Sequence, residues 1–128
     1  MTYMLLIYMD ENILADTERE ACYKESAQLA RDLHANGQYL GASPLYPTST
    51  ATSVRVREGR SLVTDGAFAE TREQLGGYFL VNAADLDEAI AIAGRIPGAR
   101  QGTVEIRPVI QVAGLPETIA TEPETARA

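Results

Sequence analysis

Thr64-Asp65-Gly66-Ala67-Phe68-Ala69-Glu70-Thr71-Arg72-Glu73 concentrates the side chains that can move a proton or hold a charged group. Asp65 leads. It precedes a glycine at a turn after a strand, where its carboxylate can face a cleft between sheet and helix. There it serves as a general base if burial raises its pKa. The competing reading is an Asx-turn, since Asp-Gly is among the commonest turn pairs. Glu70 and Glu73 share a face if the segment makes one helical turn, and paired carboxylates divide acid and base roles. The plainer outcome is a solvated charge run bridged by Arg72. On the last strand Glu105 and Arg107 alternate with Val104, Ile106 and Pro108, so both point the same way. Arg107 suits an anionic substrate through its planar fork, and a Glu105–Arg107 ion pair between subunits is the alternative. Tyr8, Tyr46 and Tyr78 can line a pocket or fill core. Gly76-Gly77 either admits a ligand close to the backbone or forms a bulge at strand entry.

Other chemistries lack their parts. His34, the one histidine, sits near the end of a helix, where a cation complements the dipole. Nothing in the sequence brings it to Asp65. With a single Cys22 and a single His there is no metal-ligand spacing, and no cofactor is expected. The chain has neither a phosphate-binding glycine loop nor a nucleophile elbow. A formal charge of −7 argues against nucleic acid, which selects a concentrated basic face. The lone cysteine, a short unflanked apolar start and the lack of any membrane-length run point to the cytoplasm.

The 128 residues, 45% hydrophobic and 23% charged, suit one domain with one core. Tyr3–Met9 reads as a strand buried on both faces. Thr17 with Glu20 makes a capping-box pattern, opening a helix to Ala35 with Cys22, Leu29 and Leu33 in its stripe. Strands follow at Gln38–Leu45 and Thr52–Arg57. Glu58-Gly59-Arg60 turns the chain into the return strand Leu62–Thr64, and Val54 and Val56 give that hairpin one half-exposed apolar face. Gly77–Asn82 is the next strand. Asp85 and Glu88 open a second helix to Arg95, with Leu86, Ala89, Ile90 and Ala93 inward and Pro97-Gly98 as its stop. Gly102–Val112 closes the fold. The order β-α-β, hairpin, β-α-β is the split, ferredoxin-like α+β pattern with an antiparallel sheet. Residues 1–113 form the domain, and the polar tail 114–128 is expected to be flexible.

Patterning carries one further consequence. Two helices cover one face of such a sheet, yet Tyr3–Met9 and Tyr78–Val81 are apolar on both. With no third helix foreseen, a second copy is the simplest lid, which makes the protein a homodimer.

The stretch Thr64–Tyr78, together with Asp85–Ala89 and Val104-Glu105-Ile106-Arg107-Pro108, resembles the DGPF, or YCII-related, family. The opening Tyr3–Tyr8 is similar to its first strand. Two positions depart: Ala67 stands where the family usually has proline, and Arg72 where lysine is common. Losing the proline costs about 0.4–1 kcal/mol of turn stability and removes no functional group. Arg72 keeps the charge but replaces a point ammonium with a fork. The resemblance implies a dimeric α+β barrel. The residues themselves suggest a small-molecule site with a pocket near Asp65. The resemblance adds the alternative of an accessory role beside an extracytoplasmic-function sigma factor. Some relatives are thought to use a His/Asp pair, for which this chain offers Asp65 without an adjacent histidine.

Overall fold

The computed structural model describes residues 1–116. The expected tail therefore falls mostly outside the described residues. Strand β1 (Thr2–Met9) leads into helix α1 (Asp16–Ala35) and strand β2 (Tyr39–Pro44). A 3-10 turn (Thr48–Thr50) precedes the hairpin β3 (Thr52–Arg57) and β4 (Arg60–Asp65). Then come β5 (Gln74–Asn82), α2 (Leu86–Gly94), α3 (Gly98–Gln101) and β6 (Thr103–Pro108). The main sheet is ordered β2-β5-β1-β6 and is antiparallel throughout, while β3 and β4 pair only with each other. This is the ferredoxin-like α+β arrangement.

Burial explains the layering. Tyr3 and Leu5 of β1, Phe79 and Val81 of β5, Leu29 and Leu33 of α1, and Ala89, Ile92, Ala93 and Ile96 form one core. Each large member stabilises the fold by about 1.5–3 kcal/mol relative to an exposed position. Alternation sets the other side of the sheet. Leu6 lies between Tyr78 and Glu105, and Met4 between Leu80 and Arg107, so one face carries all six.

Four expectations need correction. Helix α1 starts at Asp16 rather than after Thr17, because Ala15 takes the cap position and Glu18 returns to its backbone N–H at 3.4 Å. On α2 the buried stripe is Ala89, Ile92 and Ala93, while Leu86 and Ile90 are about half exposed. The helix is apolar nearly all round, so two stripes overlap in sequence and only docking chooses between them. Pro97-Gly98 ends α2 but also opens α3, a third short helix, since proline's fixed φ suits a helix start. The last strand stops at Pro108, short of Val112.

The cap of α2 lies where the sequence puts it. Asp85 accepts the Glu88 N–H at 2.9 Å, and Glu88 in turn accepts from Ala84 N–H and Gln38 Nε2. Asp85→Ala is expected to cost about 1 kcal/mol, read as a lower urea midpoint with an unchanged slope. Asp85→Asn should recover most of that loss.

Candidate functional site

Leu29 and Leu33 seat the C-terminal half of α1 on the sheet, and its N-terminal half stands off. The cause is side-chain size. Cys22, Ser26 and Ala30 recur every four residues on the inward face, where a packed helix would carry leucine or isoleucine. Ala42 and Gly77 oppose them from the sheet. A cleft of about 980 Å³ results, walled also by Ile7, Met9, Phe79 and Ile96 and by the segment Leu45–Ser49. That volume is ample for a small organic molecule.

Gly76-Gly77 shapes its floor in two ways. The β1–β5 register shifts between Ile7 and Tyr8, leaving Gly76 as the extra residue of a bulge. A Cβ at Gly77 would lie 2.9 Å from the Ser43 carbonyl oxygen, so glycine here lets β2 approach β5.

Polar groups also border it, among them Asp10, Glu11, Arg19, Tyr23, Tyr39 and Gln74. The Glu11 carboxylate accepts from Thr48 Oγ1 at 2.6 Å and Thr48 N–H at 3.0 Å, while its own N–H donates to Gln74 Oε1 at 3.0 Å. Glu11 thus ties the end of β1 to the 3-10 turn and to β5. Arg19 pairs with Asp16 at 3.0 Å. Burial pushes the Cys22 thiol up, and the nearby Glu25 adds to this, so Cys22 stays protonated and is a poor nucleophile. On the outer side of α1, bidentate Arg100 holds Glu25 below its ordinary value. Gln28 and then Arg95 do the same for Asp32. These exposed pairs fasten α1 to the α2–α3 segment beside the cleft.

The residues singled out from sequence separate into three places. Asp65 is exposed at the base of the hairpin, opposite Thr52, and does not border the cleft. Gly66, at φ 103°, makes the turn that only glycine accommodates readily, and its N–H donates to Ala51 O at 2.7 Å. Glu70 and Arg72 are exposed in an irregular segment, so the helical turn expected to align Glu70 with Glu73 does not form. Glu73 accepts instead from Thr103 Oγ1 at 2.9 Å. Tyr78 borders the cleft along β5 while its register sets its side chain on the opposite sheet face. There it joins Glu105 and Arg107, and Tyr8 donates to Glu105 at 3.4 Å. His34 packs edge-on against Tyr39, at 6.3 Å between centroids. The length of β2, roughly 16 Å, then separates it from the hairpin base, and no His34–Asp65 dyad forms.

Glu11, Arg19 and Ser26 were not anticipated from sequence. For Ser26 the available signal is the run of small residues at helical spacing, which Cys22 disguises as an ordinary core stripe; Glu11 and Arg19 carry no local signal. No cluster of three or more potential metal ligands occurs among the described residues.

A ferredoxin-like α+β domain with an apolar cleft under its first helix is the class that fold and site define. The YCII-related domain model matches residues 1–113, and an uncharacterised protein of Rhizobium meliloti (strain 1021) is 36% identical over 118 residues, 85% of this chain and 92% of that protein. The chain belongs to the YCII-related family.

Proposed function

We propose that the protein binds a small molecule in the cleft under α1, with Glu11 as the carboxylate that meets it. The observation that carries this reading is a large apolar cleft bordered by Arg19 and by a Glu11 carboxylate that Thr48 holds in place. Apolar walls with a few fixed polar groups are the usual form of a ligand site. Any chemistry there is proton transfer without a cofactor, the carboxylate taking the proton and Arg19 holding developing negative charge. Asp65 keeps a place in the proposal as the family-signature carboxylate, since the hairpin it closes springs from the 3-10 turn whose Thr48 and Ser49 wall the cleft. Glu70 and Arg72 flank that base.

The working unit is a cytoplasmic homodimer paired through the sheet face of Met4, Leu6, Tyr78 and Leu80, which encloses Glu105 and Arg107. The support is an apolar face that no helix of the same chain covers among the described residues.

A ligand screen by thermal shift, followed by kinetics on any hit, tests the site. Glu11→Gln is expected to lower turnover by about 100-fold or more, the usual worth of a positioned general base. Loss at Asp65→Asn with Glu11→Gln unaffected moves the base to the hairpin. Unchanged turnover in both removes carboxylate catalysis. The accessory reading, a module beside a sigma factor, rests on family resemblance; it predicts capture of such a factor and no hit in the screen.

A further inference from the structure

Strand β6 lies at an edge of the main sheet, so one of its sides has no neighbouring strand among the described residues. Its register shows which groups are left over. Val109 N–H donates to Thr2 O, and bonded positions alternate along an antiparallel pair, so Arg107, Glu105 and Thr103 bond to β1 as well. The backbone groups of Val104, Ile106 and Pro108 therefore point outward. Pro108 has no N–H to lose, which suits an outward position. The other edge strand, β2, is blunted by a bulge at Leu40, whereas β6 runs through six residues without one. An open, regular edge is a template for another strand.

Charge identifies that strand. Glu105 and Arg107 are exposed and share one face of β6. Charges on an edge strand ordinarily prevent self-pairing, because a two-fold axis sets like against like. Centred on Glu105, such an axis opposes Glu105 to its own counterpart; centred on Arg107, it does the same to Arg107. Centred on Ile106, it opposes each Glu105 to Arg107 of the other copy. The same register gives both outward N–H groups an acceptor. Ile106 exchanges bonds with Ile106 of the second copy, and Val104 N–H reaches that copy's Pro108 carbonyl. We infer that two copies of this chain join β6 to β6 in antiparallel register about Ile106, making one sheet across both. The contact joins edges rather than faces, so it forms with or without the sheet-face pairing proposed above.

Hydrogen exchange on the intact protein, run dilute and concentrated, reads the edge directly. The Val104 and Ile106 amides are expected to exchange at least about ten-fold more slowly in the concentrated sample. Those of Glu105 and Arg107 bond to β1 already and should be slow in both. Glu105→Arg and Arg107→Glu should each lower the edge protection at least about ten-fold. Mixing the two variants should restore it, because every opposed pair is then of opposite sign. A folding defect would not be cured by mixing. Leu6→Lys separates this contact from the sheet-face one. Edge protection that persists in that variant supports the β6 pairing, and protection lost with it assigns self-association to the sheet face. Two further results overturn the pairing: both amides exchange equally at the two concentrations, whether fast or slow, or the mixed variants regain no protection.

Discussion

Gly102→Ala is expected to cost about 3 kcal/mol, the upper part of the range for forcing an extra group into packed structure. The demand is steric. Gly102 has φ −151°, which any residue adopts, but a Cβ there would overlap the Tyr8 carbonyl oxygen and lie 3.0 Å from Met9 Cγ. A backbone oxygen inside a paired strand has no rotamer by which to withdraw. Gly98 meets the same strand one helical turn earlier, where an added Cβ would lie 2.5 Å from Ile7 Cγ2. Together these glycines let α3 close against the end of β1, the segment that delivers Asp10 and Glu11 to the cleft. Gly94 is the control, because its Cβ position is open. Gly94→Ala in the last turn of α2 should stabilise the protein by up to about 1 kcal/mol. Urea unfolding of both variants decides the matter; a Gly102→Ala cost below about 1 kcal/mol would show that β1 yields and that the close approach is not required.

Ser26→Phe should abolish ligand binding while leaving the fold intact. Ser26 is the middle member of the Cys22–Ser26–Ala30 stripe, and a phenyl ring there occupies the space between α1 and the sheet. Filling a cavity commonly adds about 0.5–2 kcal/mol of stability. Affinity for any ligand found by screening should nevertheless fall about 100-fold or more, equivalent to roughly 2.7 kcal/mol. Ala21→Phe, on the exposed side of the same helix, should change neither quantity. Undiminished binding by the Ser26→Phe protein, measured by calorimetry, would place the ligand outside the cleft. Opposite movements of stability and binding are the mark of space kept open for function rather than a packing defect.

The chemistry-bearing residues were harder to place than the scaffold. Asp-Gly ends a strand at Asp65, but the same dipeptide also serves an exposed turn, and local spacing does not separate the two. Glu11 is not legible from local sequence because its partners, Thr48 and Gln74, are 37 and 63 residues away. Glu105 and Arg107 were correctly set on one face, since alternation along a strand is a local property.

Amino-acid order alone determined the strands, the long helix, the Asp85 cap, the Glu58-Gly59 hairpin turn and the ferredoxin-like succession, since each follows from period, capping or turn chemistry over a few residues. Tertiary structure decided which stripe of α2 turned inward, that Pro97 begins a helix as well as ending one, and that α1 lifts from the sheet to leave a cleft. Those outcomes depend on the sizes of side chains that meet only across the fold, and no local period records how two distant surfaces fit.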